Sequence, residues 1–498
     1  MKLDSSIVIG TETANPTGWQ LQKSYAGLPG DLYSATPPTP VANPQAAILN
    51  YKLATALGLH FTSENLAEIV NELSGNSLPP GSHPIAQAYM GHQFGYLNML
   101  GDGRAILLGE HIAPNGRRVD IQLKGAGPTP YSRRGDGRAT LGACLREYII
   151  SEAMHGLGIA TSRSLAVIKT GDPVYREQLH EGGVLTRIMS SHIRVGTFEF
   201  ATRHLNKPAY REFLQYVINR HYPQLADAEN PATALLQAVM EKQADLIVDW
   251  IRVGFIHGVM NTDNMSIAGE TFDYGPCAFM NRYNPATVFS SIDTSGRYAF
   301  ANQPSIAQWN LAVLASALIP LIDDNSEKAV ATAKSILHTF PDLYAQKYRQ
   351  MMQQKIGLTQ PEPETTTLVN DLLQWMEMAG ADYTNTFVHL MYPEWVKDEI
   401  YEADGLKLWK ERWLEMVNRQ PGGSTAVLTA MQKVNPVFIP RNHLVEEAIE
   451  AATHGKDMGL LNKLLQIVSN PYEKLPGHDR YRQPPHGGDG FYKTFCNT

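Results

Sequence analysis

Cysteine is scarce in this chain: three residues in 498, Cys144, Cys277 and Cys496. So sparse and odd a count excludes a disulfide scaffold and fits a reducing compartment, so a cytoplasmic setting is expected. Long apolar runs are absent as well. The longest, Trp309 to Ile322, is broken by Asn310, Ser316 and Pro320 and reads as a buried helix too short to cross a bilayer. The N-terminus lacks a charged stretch leading into an apolar one, so no secretory signal is read. Basic charge is not in excess: 42 Lys and Arg stand against 49 Asp and Glu, a formal net charge of −7. That balance gives no overall bias toward nucleic acid. Internal repeats and low-complexity tracts are missing, and no GxxxxGK[ST] occurs, which excludes a P-loop. No nucleic-acid or membrane partner is expected, and a monomer is, since neither a coiled coil nor an extended apolar patch is evident.

The chain does hold 43% hydrophobic residues, enough for one large core or two to three packed sub-domains. Residues 1–80 read as an N-terminal extension, with a proline-rich stretch (TPPTPVANP, 36–44) and a helical patch from Ala46 to Leu57. Residues 81–200 are rich in glycine and strand signals. Val119, Ile121 and Leu123 alternate with Asp120, Gln122 and Lys124, the period of a half-buried strand with Lys124 at its polar end. Val184 to Met189 reads as another strand. Between them Leu141, Leu145, Tyr148 and Ile149 mark a helix over roughly 140–156. Residues 201–435 are dominated by helical periodicity, including a long helix that stops at Gly254. Residues 436–498 form a helical extension and an irregular tail. The expected class is α+β: a β-rich half with one helix, then a helical half.

Several residues carry chemistry in this frame. Gly101 and Gly103 flank a turn that leads into a strand, with Arg104 after it. A glycine turn can admit a phosphate, but on these residues alone a plain β-turn is favoured. Lys124 at a strand end and Glu147 on the next helix have the layout of the kinase ion pair, which holds a lysine against nucleotide phosphates. A solvated lysine and an ordinary surface glutamate fit equally well. The loop 125–140 carries Arg133, Arg134, Asp136, Gly137 and Arg138, a composition that suits either polyphosphate binding or a solvated hairpin. Arg187, alternating with apolar neighbours, points to a polar cleft, and Arg194 adds a further guanidinium. The most telling stretch is 254–276. A helix ends, His257-Gly258 follows, then Asp263-Asn264, a short strand from Met265 to Ile267, a turn at Gly269 and Asp273-Tyr274-Gly275. Kinase-like enzymes hold Mg²⁺ with the asparagine and the DFG aspartate of such an element, because a hard cation takes amide and carboxylate oxygens. Asn264 and Asp273 fit those roles. The position five residues before the asparagine, where a kinase keeps its catalytic aspartate, is Val259, which cannot accept a proton. Asp263 is the nearby carboxylate left for that task.

At GHQFG (91–95), LGDGRAILLGE (100–110), QLKGAGPTPYSRRGDGRA (122–139), LREYIISEAMHGLGI (145–159), TRIMSSHIRVGTFE (186–199), HGVMNTDNMSI (257–267) and DYGP (273–276), the chain resembles the selenoprotein O family, called YdiU in bacteria. The resemblance covers most of 90–276. It implies a protein-kinase-like two-lobed fold with N- and C-terminal extensions, in which ATP lies flipped relative to kinases. It implies transfer of AMP, with UMP also described, to Ser, Thr or Tyr hydroxyls of target proteins. ATP (or UTP) is then the substrate and Mg²⁺ or Mn²⁺ the cofactor. Carried over residue by residue, the nucleotide contacts fall on Gly101, Gly103, Arg104, Lys124, Asp136, Gly137, Arg187 and Arg194. Glu147 pairs with Lys124, Asp263 is the proton acceptor, and Asn264 and Asp273 bind the metal. Family members often carry selenocysteine or cysteine near the C-terminus, here Cys496. A regulatory disulfide from Cys277 to Cys496 is one expectation, and two unrelated free thiols the other. Two rival readings stay open: a kinase with a relocated base, and a nucleotide-binding pseudokinase scaffold without catalysis.

Overall fold

The structure, a computed structural model, describes residues 15–360, 362–490 and 492–494. Its first half is built on an antiparallel sheet whose strands run, edge to edge, Tyr33–Ala35, Ile85–Gln87, Ala105–Ile112, Arg118–Lys124, Leu179–Met189, Arg163–Tyr175 and Gln45–Leu49. Two short strands join off this path, Leu21–Gln22 beside Ala105–Ile112 and Ala139–Thr140 beside Leu179–Met189. Residues before 80 therefore supply strands to the same sheet as those after it. The expected helical patch from Ala46 divides in two. Gln45–Leu49 pairs with Ala166 to Lys169 as an edge strand, and the helix is only Tyr51–Leu57. Asn50 marks the switch, its side chain accepting from the Leu53 amide at 3.0 Å as an N-cap. The gain from pairing along the sheet outweighs the local helical pattern there.

Alternation along Arg118–Lys124 holds as read, but the polar face is not solvated. Asp120 and Gln122 are as buried as Ile121 and Leu123. Their face is covered by the long helix Leu141–Gly156 and by the second half of the chain, so it must be satisfied internally. Asp120 accepts from Arg220 at 2.5 Å and from the backbone and ring of His192 at 2.8 and 3.0 Å. The opposite, apolar face packs with the helices Tyr51–Leu57 and Leu66–Ser74 into a separate core containing Leu53, Ile69, Leu73, Ile106, Ile121 and Leu123.

The second half is helical. Pro231–Val253 is its axis, ending as expected at Gly254, which takes the left-handed conformation at φ 74°. Against it lie Gln303–Ile322 and Phe340–Lys355. The apolar helix runs further back than the Trp309 start read from sequence. Phe300–Ile322 is long and apolar enough, by length and composition, to cross a membrane. Here Gln303 donates to the Phe255 carbonyl and Asn310 to that of Met260, both at 3.0 Å, so its polar residues tie it into the fold. The short strand expected at Met265–Ile267 is a single bridge, Ser266 facing Arg194. Its partner turns straight into the helix Val195–His204, which leaves no room for a longer ladder. Helices Asn442–Thr453 and Gly459–Val468 return to pack on Leu141–Gly156. An antiparallel sheet with one pinned helix, followed by a helical half, is the layout of a protein kinase.

Candidate active site

Strand geometry places the first cluster. Residues two apart on a strand share a face, so Lys124 and Gln122 point the same way. Arg187 lies directly opposite Gln122 in the ladder and so joins that face. The helix Leu141–Gly156, capped by Thr140, lays Glu147 against it. Lys124 Nζ donates to Glu147 Oε2 and to Asp273 Oδ1, both at 2.7 Å. Arg187 Nε donates to Glu147 Oε1 at 2.7 Å, and its Nη1 to Gln122 Oε1 at 3.2 Å. Two cations and two carboxylates thus form one buried network. Burial by itself would raise both acids. Arg187 and then Lys124 hold Glu147 below its ordinary range, and Lys124, Arg187 and Arg104 together hold Asp273 far below it. Asp273 also has a φ of 64°, unusual for a residue with a side chain and a mark of strain kept at a working position.

The second cluster is the loop after Gly254. Asn264 donates its amide nitrogen to the Val259 carbonyl at 3.0 Å, so the oxygen of that amide is the end left to accept or to ligate. Val259 is buried and serves this loop through its backbone. Asp263 is 9% exposed, and its Oδ1 has no hydrogen-bond partner among the described residues. Burial pushes its carboxyl up to about 6. Arg194, the N-cap of Val195–His204, connects the parts. It donates to the Asp263 carbonyl at 3.3 Å, lies 3.6 Å from Asp102 Oδ1, and stacks at 4.0 Å on Tyr89 and 5.1 Å on Phe272.

Gly101 and Gly103 are the third element. Gly101 has a φ of 129°, and a side chain there would drive into the Tyr131 ring. Thr129 Oγ1 donates to the Asp102 carbonyl at 2.7 Å, and Ser132 to that of Gly103. The loop 125–140 is therefore folded down on the glycine turn rather than standing in solvent. Asp136 pairs with Arg176, at 2.8 and 3.0 Å. Gly137, at φ 65°, packs against the Gly127 backbone where only a hydrogen fits. Among the described residues no group of three or more His, Cys, Asp or Glu could cage a metal.

Cys277 is fully buried, its thiol pushed up to about 12 by burial and donating to the Tyr274 carbonyl at 3.3 Å. Cys496 lies outside the described residues. The tail reaches this segment at Thr494, whose hydroxyl donates to the Pro276 carbonyl at 2.6 Å. Cys144 is buried within its helix. The site also draws in Asp102, Tyr131 and the set His92, Glu199 and Thr262, to which the sequence assigns no role, and Gln122, read there only as one of a strand's polar face. Asp102, between two glycines already singled out, was the one within reach of a sequence argument.

The chain is similar to known proteins over nearly its whole length. The family model described as protein adenylyltransferase SelO matches residues 19–469. A protein nucleotidyltransferase YdiU of Syntrophotalea carbinolica is 52% identical over 486 residues, covering 98% of this chain and 99% of that protein. Counterparts of the same name in Nitrosococcus oceani and Bacillus cereus are 50% and 51% identical, each over 97% of this chain and 98% or 99% of theirs. Among solved structures, ROP2 from Toxoplasma gondii, a virulence factor with a protein-kinase fold and no enzymatic activity, is 11% identical, with a TM-score of 0.24 over 76% of this chain and 96% of that one.

Proposed function

The chain belongs to the SelO family of protein adenylyltransferases, and from that premise we propose that it transfers AMP from ATP to Ser, Thr or Tyr hydroxyls of other proteins through Asp263. The triphosphate rests on the glycine turn of Gly101 and Gly103 and is met by Arg104, Lys124, Arg187 and Arg194, with Asp136 and Gly137 bordering the loop above it. Glu147 keeps Lys124 and Arg187 aimed. Asn264 and Asp273 would hold a divalent cation, Mg²⁺ or Mn²⁺, which would neutralise phosphate charge. The acceptor oxygen bonds to the α-phosphorus as its proton passes to the Asp263 carboxylate. The bond from the α-phosphorus to the bridging oxygen breaks, and pyrophosphate leaves. Positioning and charge supply most of the acceleration in such a transfer.

The observation that carries this reading is the pairing of Val259 with Asp263. An inert side chain stands where a kinase keeps its base, while a buried carboxylate, one oxygen of it unpartnered among the described residues, stands four residues on. The test is parallel incubation with ATP labelled at the α or the γ phosphorus, with divalent metal and reduced enzyme. Label entering protein from the α position alone is expected. Label from γ alone would make the protein a kinase and overturn the reading. Labelled UTP in the same assay decides between AMP and UMP as the preferred group. A regulatory disulfide between Cys277 and Cys496 is part of the proposal, supported by the docking of Thr494 beside Pro276. Peptide maps with and without reductant should show the linked pair after mild oxidation, and free thiols alone would remove it.

A further inference from the structure

The sheet and the helical half leave one small element over: a hairpin of Met90–Gln93 and Tyr96–Met99, paired only with itself. It does not add to the main sheet. It is wedged between the helix Val195–His204 and the loop that carries Asp263. The fit is close on both sides. Gly196 lies against the Met90 carbonyl, where a side chain would collide. A methyl group on Gly91 would come to 2.5 Å from Asp263 Oδ1 and 2.9 Å from its Cγ. Glycine at 91 is therefore required by the approach of the carboxylate itself.

His92 then touches both of the hairpin's neighbours. Its backbone amide donates to Thr262 Oγ1 at 2.7 Å. Its Nδ1 lies 2.5 Å from Glu199 Oε1, and the other oxygen of Glu199 accepts the Thr262 hydroxyl. One turn further, the Phe94 amide donates to Asn261 Oδ1 at 3.2 Å, and that oxygen also takes the Tyr298 hydroxyl at 2.6 Å. The outer face of the His92 ring meets Trp309 edge-on at 5.3 Å. Glu199 is buried, and a buried carboxylate between an imidazole and a hydroxyl is too costly to keep for packing alone.

We propose that His92, acting through Glu199 and Thr262, is a positioning residue for the transfer step: the hairpin holds Asp263 in register with the acceptor hydroxyl. This rests on the assignment of Asp263 as proton acceptor. Because the hairpin touches the base and not the ion-pair network of Lys124, its loss acts on turnover and spares ATP binding. The experiment compares full-length wild type with His92→Ala, His92→Asn, Glu199→Gln and Asp263→Asn. It uses α-labelled ATP for kcat and KM, and a fluorescent ATP analogue for affinity. His92→Ala is expected to lose about tenfold or more in kcat, in line with displaced supporting groups elsewhere, with KM and affinity within about twofold. His92→Asn, which keeps a donor near the Nδ1 position, is expected to recover most of that loss. The double variant H92A/E199Q should be no worse than H92A. Wild-type kcat in H92A overturns the proposal, as does equal damage in H92A and H92N with affinity falling in step. Should H92A fail to fold, Thr262→Val removes the same link from the other side, and unchanged kcat there overturns it equally. Undiminished transfer by D263N would overturn the base assignment and with it the premise. Loss in D263N beside undiminished kcat in H92A would overturn the hairpin's role alone.

Discussion

Asp263 and Asp273 are two carboxylates on one loop whose surroundings drive them apart. Lys124, Arg187 and Arg104 keep Asp273 ionised, whereas Asp263, its Oδ1 without a hydrogen bond among the described residues, is pushed up to about 6 by burial. Acids separated in this way take different tasks, the ionised one holding charge and the raised one exchanging a proton. Asp263→Asn should therefore cut the transfer rate by about 10² to 10⁴-fold, the usual worth of a positioned proton acceptor, with ATP affinity little changed. Asp273→Ala should also abolish transfer, but by another route. It removes the carboxylate for the cation and leaves Lys124 with one partner in place of two. Its signature in a titration with fluorescent ATP analogue is loss of the metal-dependent part of binding. Equal affinity with and without Mg²⁺ in the wild type would contradict the assignment of Asp273.

At the level of elements, the helix Leu141–Gly156 and the strand Arg118–Lys124 were legible because period and caps agree with their tertiary use. Thr140 starts one helix and Gly254 stops another where the sequence places them. The pairing of Lys124 with Glu147 was legible as one of two alternatives, and the fold decides between them by laying Glu147 2.7 Å from Lys124. The edge strand Gln45–Leu49 was not legible, since its pattern is helical and its partner lies more than a hundred residues away. Nor was the hairpin Met90–Met99, whose role comes from what it touches and not from its own pattern. The glycine turn at 101–103 was read as a plain turn, and its fold against Tyr131 is a long-range contact that no local rule gives. It carries its own prediction. Gly101→Ala must leave φ 129° or displace the Tyr131 ring, at a cost of about 1–3 kcal/mol. ATP affinity should fall by about tenfold or more while the thermal transition stays cooperative. Unchanged affinity in a calorimetric titration would show that the turn does not seat the phosphates.

Over the whole molecule, the two halves are joined by buried polar groups as well as by a shared apolar core, and the polar part makes stability depend on acid. Asp120 of the sheet meets Arg220 and His192 of the later chain, and His221, beside Arg220, shares a hydrogen bond with Ser191 at 2.7 Å. Burial holds His192 down to about 4 and His221 to about 3, while Arg220 and His192 bring the buried Asp120 down to about 2. For each histidine the folded value lies below that of the unfolded chain, near 6.5. The unfolded state therefore binds more protons than the folded one from pH 6.5 downward, so stability is complete above that point and is lost as pH falls toward 4 and then 3. Asp120 acts in the same direction in a lower window, from about 3.8 to 2. Urea unfolding at stepped pH should show stability falling from pH 6.5, with each histidine adding up to about 1.4 kcal/mol per pH unit to the slope. His192→Gln should flatten that slope by up to one proton between pH 6.5 and 4, and it should do so even if it lowers stability at neutral pH. A slope identical to wild type would mean that His192 is not held neutral between the halves, and that their joint is insensitive to its charge.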